Sequence, residues 1–276
     1  MTAESQQIFT EWSPSWWLSG SMLLTAVIYV RGWLAIRKTR PAQFTGWQLV
    51  SFLAAITVLW IAIDSPLDGF ADVLLSAHMV EHLLLMSAVP PLLLLGTPTV
   101  PLLRGLPRWM IRVIAGPLLR LRFLRQLGHT LVTPMVAWLA MNAAFLAWHV
   151  PAAYDFALEH EGWHDFEHVC FLTTAILFWW VILRPWPARS HSSNWMLLLY
   201  LVGADIVNTA LSAFLAFCDR IVYPFYLTQP SPIRVSPLAD QVVGAVIMWV
   251  MGSVVFLIPA VAITFKMLRP QRLQLA

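Results

Sequence analysis

Seven stretches of about twenty mostly apolar residues set the main limit on what this chain can fold into. A helix rises ~1.5 Å per residue, so ~20 residues cross the roughly 30 Å of hydrocarbon in a bilayer. The stretches lie near 16–36, 47–64, 72–95, 131–150, 164–184, 195–217 and 241–265. Lipid tolerates only backbone whose polar groups are satisfied internally, and none of these runs alternates as barrel strands do. The expected fold class is therefore an all-α membrane protein, a seven-transmembrane helical bundle. Composition agrees: 59% of the residues are hydrophobic and 11% charged, against about a quarter charged in soluble domains. Residues 1–276 read as a single integral membrane domain. The fifth span carries His164, Glu167 and His168 in its first turns, and a shorter helix starting near Val169 is the alternative.

The basic residues give the expected orientation. Fifteen of the 17 lysines and arginines fall on one side: Arg31 to Arg40, Arg104 to Arg125, Arg184, Arg189, Lys266, Arg269 and Arg272. The other side has only Arg220 and Arg234, together with the acids Glu4, Glu11, Asp64, Asp68, Asp72, Asp155, Glu159, Glu161, Asp219 and Asp240. By the positive-inside rule the N-terminus is outside and the C-terminus cytoplasmic. The net charge of +3 then reports topology, and no nucleic-acid partner is expected. The six arginines of 104–125, interleaved with apolar residues, suit a helix in the headgroup layer of membrane lipid or a solvated basic loop. Trp16, Trp17, Trp47, Trp163 and Trp195 fall at span ends as interfacial anchors. The first span lacks a basic leader and is expected to be retained. Cys170 and Cys218 form no CxxC pair, so dithiol chemistry is not expected.

Within this frame the pattern HxxEH occurs twice, as HMVEH (His78 to His82) and HDFEH (His164 to His168). Residues at i, i+3 and i+4 share a helix face, so each motif presents two imidazoles and a carboxylate together. Counted from Asp72, His78 sits roughly 9 Å and His82 roughly 15 Å down the third span. The fifth span brings the second motif to the same leaflet, and His149, in AWHVP, ends the fourth span there. Ionisable groups in hydrocarbon are unfavourable by ~2.5–3.5 kcal/mol on insertion scales, so such a cluster needs a reason. Neutral imidazoles bind transition metals, and the expectation is a metal site made by His78, His82, His149, His164 and His168. Glu81 and Glu167 serve as ligands or orient the rings; Met86, Met248 and Met251, and with them Met79, are soft thioethers that would suit Cu(I), although methionine in a bundle commonly just packs. His129 and His191 read as interfacial side chains, His160 as solvated and Cys170 as buried filler. Asp205 and Asn208, at i and i+3 in the sixth span, must face the interior and bond one another or line a path. Pro90 and Pro91 should kink the third span or split off its inner half.

These motifs resemble those of the CtaG family of seven-span cytochrome c oxidase assembly factors. SAHMVEHLLLMSAVPPLLLLGTP, AWHVPAAYDFAL with HDFEHVCFLTTAILFWWVIL, YPFY, and SPLADQ with IMWVMG carry the resemblance, which covers most of the chain. It implies copper binding on the outer side and support of copper insertion into the oxidase, through His78, His82, His149, His164 and His168. The implied cargo is copper as Cu(I), with zinc as the alternative. The implied partners are cytochrome c oxidase subunits and periplasmic copper chaperones, and no catalysis is needed. Two other functions fit the residues: an intramembrane zinc metalloenzyme, since HxxEH is also a zinc-hydrolase pattern with the glutamate as base, and a haem-binding electron carrier with axial histidines.

Overall fold

The computed structural model describes residues 12–185, 193–229 and 235–268, so Glu4, Glu11, Arg189, His191, Arg234, Arg269 and Arg272 lie outside the described residues. All regular structure within them is helical. The principal helices are α1 (Trp16–Arg37), α2 (Gly46–Ile63), α3 (Pro66–Ala71), α4 (Leu75–Leu95), α5 (Thr99–Gly105), α6 (Arg122–Leu131), α7 (Pro134–Trp148), α8 (Pro151–Leu158), α9 (Glu161–Leu183), α10 (Asn194–Phe217) and α11 (Pro237–Leu268). Short helical pieces fill 108–120 between α5 and α6.

Six segments are long and apolar enough to cross a membrane: α1, α2 with α3, α4, α9, α10 and α11. A seventh is reached only if α6 and α7, bent by 71° at their junction, count as one span. The expected fourth span at 131–150 is thus shorter than the pattern implied, and its cause is local. Pro134 has no N–H to continue the ladder from α6. The Thr133 hydroxyl instead donates to the Thr130 carbonyl at 2.7 Å, and α7 starts afresh. The 15 residues of α7 rise only ~22 Å.

In α9 the structure decides between the two starts considered. The helix runs unbroken from Glu161, so the whole HDFEH motif is helical and the shorter form beginning near Val169 is not adopted. In α4 the proline pair does what its chemistry requires. Pro90 cannot donate to the Met86 carbonyl, and the helix widens into a π-turn over Leu84–Ala88, with the Val89 N–H reaching back to the Leu84 carbonyl. The freed Met86 carbonyl accepts the indole N–H of Trp179 from α9 at 3.0 Å, which locks α9 against the kink.

Two polar devices fix the rest of the bundle around α4. The Asp240 carboxylate of α11 accepts from the Ser76 amide (3.3 Å) and hydroxyl (2.5 Å), capping the start of α4. Gly244 of α11 leaves room for Met79, since a Cβ there would lie 3.3 Å from the Met79 Cγ, so Met79 is packing material. On the other flank Gly32 of α1 and Gly105 of α5 let two backbones touch: a Cβ on Gly32 would meet the Pro101 carbonyl oxygen at 1.8 Å. Trp16, Trp17, Trp47, Trp163 and Trp195 are all exposed, as anchors at span ends should be. The helix order brings the start of α4, the end of α7 and the start of α9 to one end of the bundle; the arginines of 104–125 belong to the other.

Candidate metal centre

The start of α4 presents His78, Glu81 and His82 on one face, and the start of α9 presents His164, Glu167 and His168. These two faces meet across the core. His78, Glu81 and Glu167 are fully buried, His82, His149 and His168 are at most 8% exposed, and His164 is half-buried. Ring centroids lie 4.1 Å apart for His78 and His82, 4.2 Å for His164 and His168, 5.2 Å for His78 and His164, and 5.7 Å for His82 and His168.

The pairing is crosswise. His82 Nε2 lies 3.6 Å from Glu167 Oε1, and His168 Nε2 lies 3.3 Å from Glu81 Oε1, so each motif's second histidine faces the other motif's glutamate. These approaches are within ion-pair range but lack the alignment of hydrogen bonds. Both ring nitrogens of His78 and His82, both oxygens of Glu81 and Glu167, and Nε2 of His149, His164 and His168 are buried without a hydrogen-bond partner. A buried polar group left unpaired costs ~1–3 kcal/mol, so a cluster of them is a large standing cost. Ligation would remove it. Two overlapping triads have ligand atoms within 4.8 Å of one another: His78, His82 and Glu167, and His78, Glu81 and His164. The glutamates therefore stand as direct ligand candidates in both triads.

Tyrosines roof the cluster. Tyr154 of α8 approaches His78 with ring centroids 5.1 Å apart and shares a 3.0 Å hydroxyl contact with Tyr226, which donates to the Ala71 carbonyl at 3.1 Å. Tyr223 donates to the His149 carbonyl at 3.2 Å. Burial pushes the Tyr154 and Tyr223 phenols well above their ordinary range, so they remain neutral donors. In the sequence YPFY stands only as a motif. The three-residue spacing of Tyr223 and Tyr226 is the available signal, but nothing in it says that Tyr223 reaches His149 or that Tyr226 meets Tyr154.

A cavity of about 930 Å³ opens beside the cluster, with His164 and His168 in its wall and Asp64, Asp68, Asp72, Glu159, Glu161 and Asp165 around them. Asp64 is held there by the Ser15 amide (2.7 Å) and the Ser19 hydroxyl. Such an acidic vestibule concentrates cations in front of the two histidines.

A second cavity of about 40 Å³ lies deeper, lined by His82, His149, Met86, Met141, Met248 and Asn208, with Trp179 and Phe256 among its other neighbours. The structure thus brings His149, Met86 and Met248 to the inner side of the cluster. Met251 is not brought there: it is 51% exposed. The buried stripe of α11 runs Met248, Gly252, Phe256, and Met251 sits about 60° around the helix from Met248. His160 is exposed at the end of α8, as expected, and His129 is exposed on α6. Asp205 and Asn208 do not bond one another: Asp205 accepts from Ser253 at 2.7 Å, and Asn208 donates to the Met248 carbonyl at 3.3 Å.

A family model described as cytochrome c oxidase caa3 assembly factor (Caa3_CtaG) matches residues 27–270, nearly the whole chain. Uncharacterized proteins of Mycobacterium bovis and Mycobacterium tuberculosis are each 26% identical over 274 residues, covering 96% of this chain and 40% of their own length. One from Mycobacterium leprae is 25% identical over 251 residues, covering 88% of this chain and 37% of its own. The chain thus spans less than half the length of these relatives. No solved structure matches.

Proposed function

We propose that this chain, which belongs to the cytochrome c oxidase caa3 assembly factor family, binds copper through its histidine cluster and supports the metal's insertion into the oxidase. One observation carries the reading: the two HxxEH faces meet so that buried imidazole nitrogens and carboxylate oxygens converge within ligand range with no other partner. Imidazoles suit copper, and the membrane-embedded cluster has no evident packing role that would justify its cost. The distribution of arginines supports an outward-facing cluster, with the acidic vestibule drawing cations from the periplasmic side. From there the cargo, as Cu(I), would pass by ligand exchange to oxidase subunits, after delivery by periplasmic copper chaperones.

The rival readings have less geometric support. In a zinc hydrolase each motif's glutamate would serve the metal held by its own histidines, whereas here each glutamate lies against the opposite motif's second histidine. Haem needs an open slot for its macrocycle between two axial rings, and even the wider pairs, His78 with His168 at 6.5 Å and His82 with His149 at 6.2 Å, are crowded by further rings, His82 standing 5.7 Å from His168 and Phe171 4.6 Å from His82.

Metal analysis of purified protein under reducing conditions tests the proposal. Wild type is expected to retain copper, and the quadruple variant His78→Ala, His82→Ala, His164→Ala, His168→Ala to lose most of it. Equal copper in the two would place the metal elsewhere and overturn the reading.

A further inference from the structure

The inner cavity differs in chemistry from the cluster above it. The cluster mixes imidazoles with two carboxylates, whereas no carboxylate lines the inner cavity. Three donors of the lining are already used: the Trp179 indole N–H on the Met86 carbonyl, the Asn142 amide on the Trp138 carbonyl at 2.8 Å and the Asn208 amide on the Met248 carbonyl. The ring nitrogens of His82 and Nε2 of His149 are not. His149 Nδ1 lies 2.7 Å from the Phe145 carbonyl and must therefore carry the proton, which leaves Nε2 as a lone pair, buried and without a partner. Beside it, the side chains of Met86, Met141 and Met248 are at most 9% exposed.

We propose that this cavity is a second copper position, selective for Cu(I), with His149 Nε2 and the thioethers of Met86, Met141 and Met248 as its ligand set. The inference rests on the copper-binding reading but assigns a separate site to it. Thioethers are soft donors that select Cu(I) over harder divalent ions. Neutral ligands also favour the lower charge, since a divalent cation without a counter-charge is costly in a dry interior. The volume of about 40 Å³ has room for an ion beside these side chains. His82 is the shared wall: it belongs to one ligand triad of the cluster and also lines the inner cavity, with its ring centroid 6.2 Å from that of His149. A cation can therefore pass from the mixed nitrogen and oxygen cluster to the soft site by rotation about one side chain. Met141, which no sequence motif marked, becomes part of the site by its place on α7 one turn before Phe145.

The test loads detergent-purified protein with Cu(I) under ascorbate and reads X-ray absorption at the copper edge. Wild type is expected to show sulfur scatterers as well as imidazole. The variant Met86→Leu with Met248→Leu, close in volume, should lose most of the sulfur signal, leaving only that of Met141, and bind its tightest Cu(I) about 10- to 100-fold more weakly. The cluster variant Glu81→Gln with Glu167→Gln should keep the sulfur-ligated copper. If the leucine variant fails to fold, wild-type protein grown with selenomethionine gives the same answer, because copper in the cavity produces a copper–selenium distance at the selenium edge. Copper bound with only nitrogen and oxygen neighbours would overturn this inference and leave the copper-binding reading standing. No copper retained by any form would overturn both.

Discussion

The histidine cluster and the glycine-packed contact of α1 with α5 are both buried, yet they are built on opposite principles. Around the contact most polar groups are partnered, the buried indole N–H of Trp33 being the exception. The Tyr29 hydroxyl donates to the Gly96 carbonyl at 2.7 Å, its ring stacks on Phe52 at 3.7 Å, and the Ser51 hydroxyl donates to the Leu92 carbonyl at 2.7 Å. Gly32 and Gly105 allow main chains to touch. In the cluster, by contrast, polar atoms accumulate without partners: of fifteen buried side-chain nitrogens and oxygens lacking a hydrogen bond among the described residues, eleven belong to its six members and His149. One region is a solved packing problem, and the other is an unsolved electrostatic one. A fold holds the second only if the first kind of contact is strong enough around it and a ligand later removes the cost.

This contrast predicts opposite signs for substitution in the two regions. The largest effect is expected at Gly32. Gly32→Ala forces a methyl onto the Pro101 carbonyl oxygen, and the loss of stability should exceed about 4 kcal/mol, read as failure to recover a monodisperse protein or a collapse of its melting temperature. A wild-type melt would show that α1 and α5 do not touch as described.

Next comes the cluster, where stability and binding should move apart. His78→Leu is expected to raise the stability of metal-free protein by about 1–2 kcal/mol, because it removes unpaired buried nitrogens, while weakening copper binding about 10- to 100-fold. Thermal melts with and without copper read both quantities. Destabilisation of the metal-free form would mean that His78 has a packing role the comparison denies it. Acidification should act on the same region alone. Imidazoles ligate only when unprotonated, so the copper-dependent part of the melting temperature should fall on acidification and return on neutralisation. A copper shift independent of pH would argue against imidazole ligands.

A smaller effect is expected at the join between the regions. Trp179→Phe leaves the Met86 carbonyl, already orphaned by Pro90, with no donor, and should cost about 1–2 kcal/mol in a denaturant or thermal titration. No loss would mean that water or a relaxed kink takes over. The smallest is at Met251. Met251→Ala, on the exposed side of α11, should leave copper content unchanged, whereas Met248→Ala should lower it. Equal losses would contradict the facing assigned to that helix.

Much of this was legible in the sequence because bilayer thickness and helical rise are fixed quantities. The spans near 16–36, 47–64 and 195–217 match α1, α2 and α10 to within a residue or so. The i, i+3, i+4 spacing makes each HxxEH motif a single helix face, and the cost of such faces in lipid makes them candidates for a site. The exceptions were local backbone events. Pro134 truncated the fourth span where composition alone saw a continuous run, and the unbroken start of α9 was ambiguous because polar residues in its first turns lower the apolar signal.

The sequence by itself determined which residues are expensive to bury and which helix face each occupies, since both follow from side-chain chemistry and a constant period. Only the tertiary structure decided that Glu81 faces His168 while Glu167 faces His82, that Met141 and Met248 line one cavity with His149, and that Met251 does not. Those outcomes depend on the rotation of each helix about its axis relative to its neighbours. That rotation is set by distant contacts such as Gly244 against Met79 and Trp179 against the Pro90 kink, which no spacing along a single helix encodes.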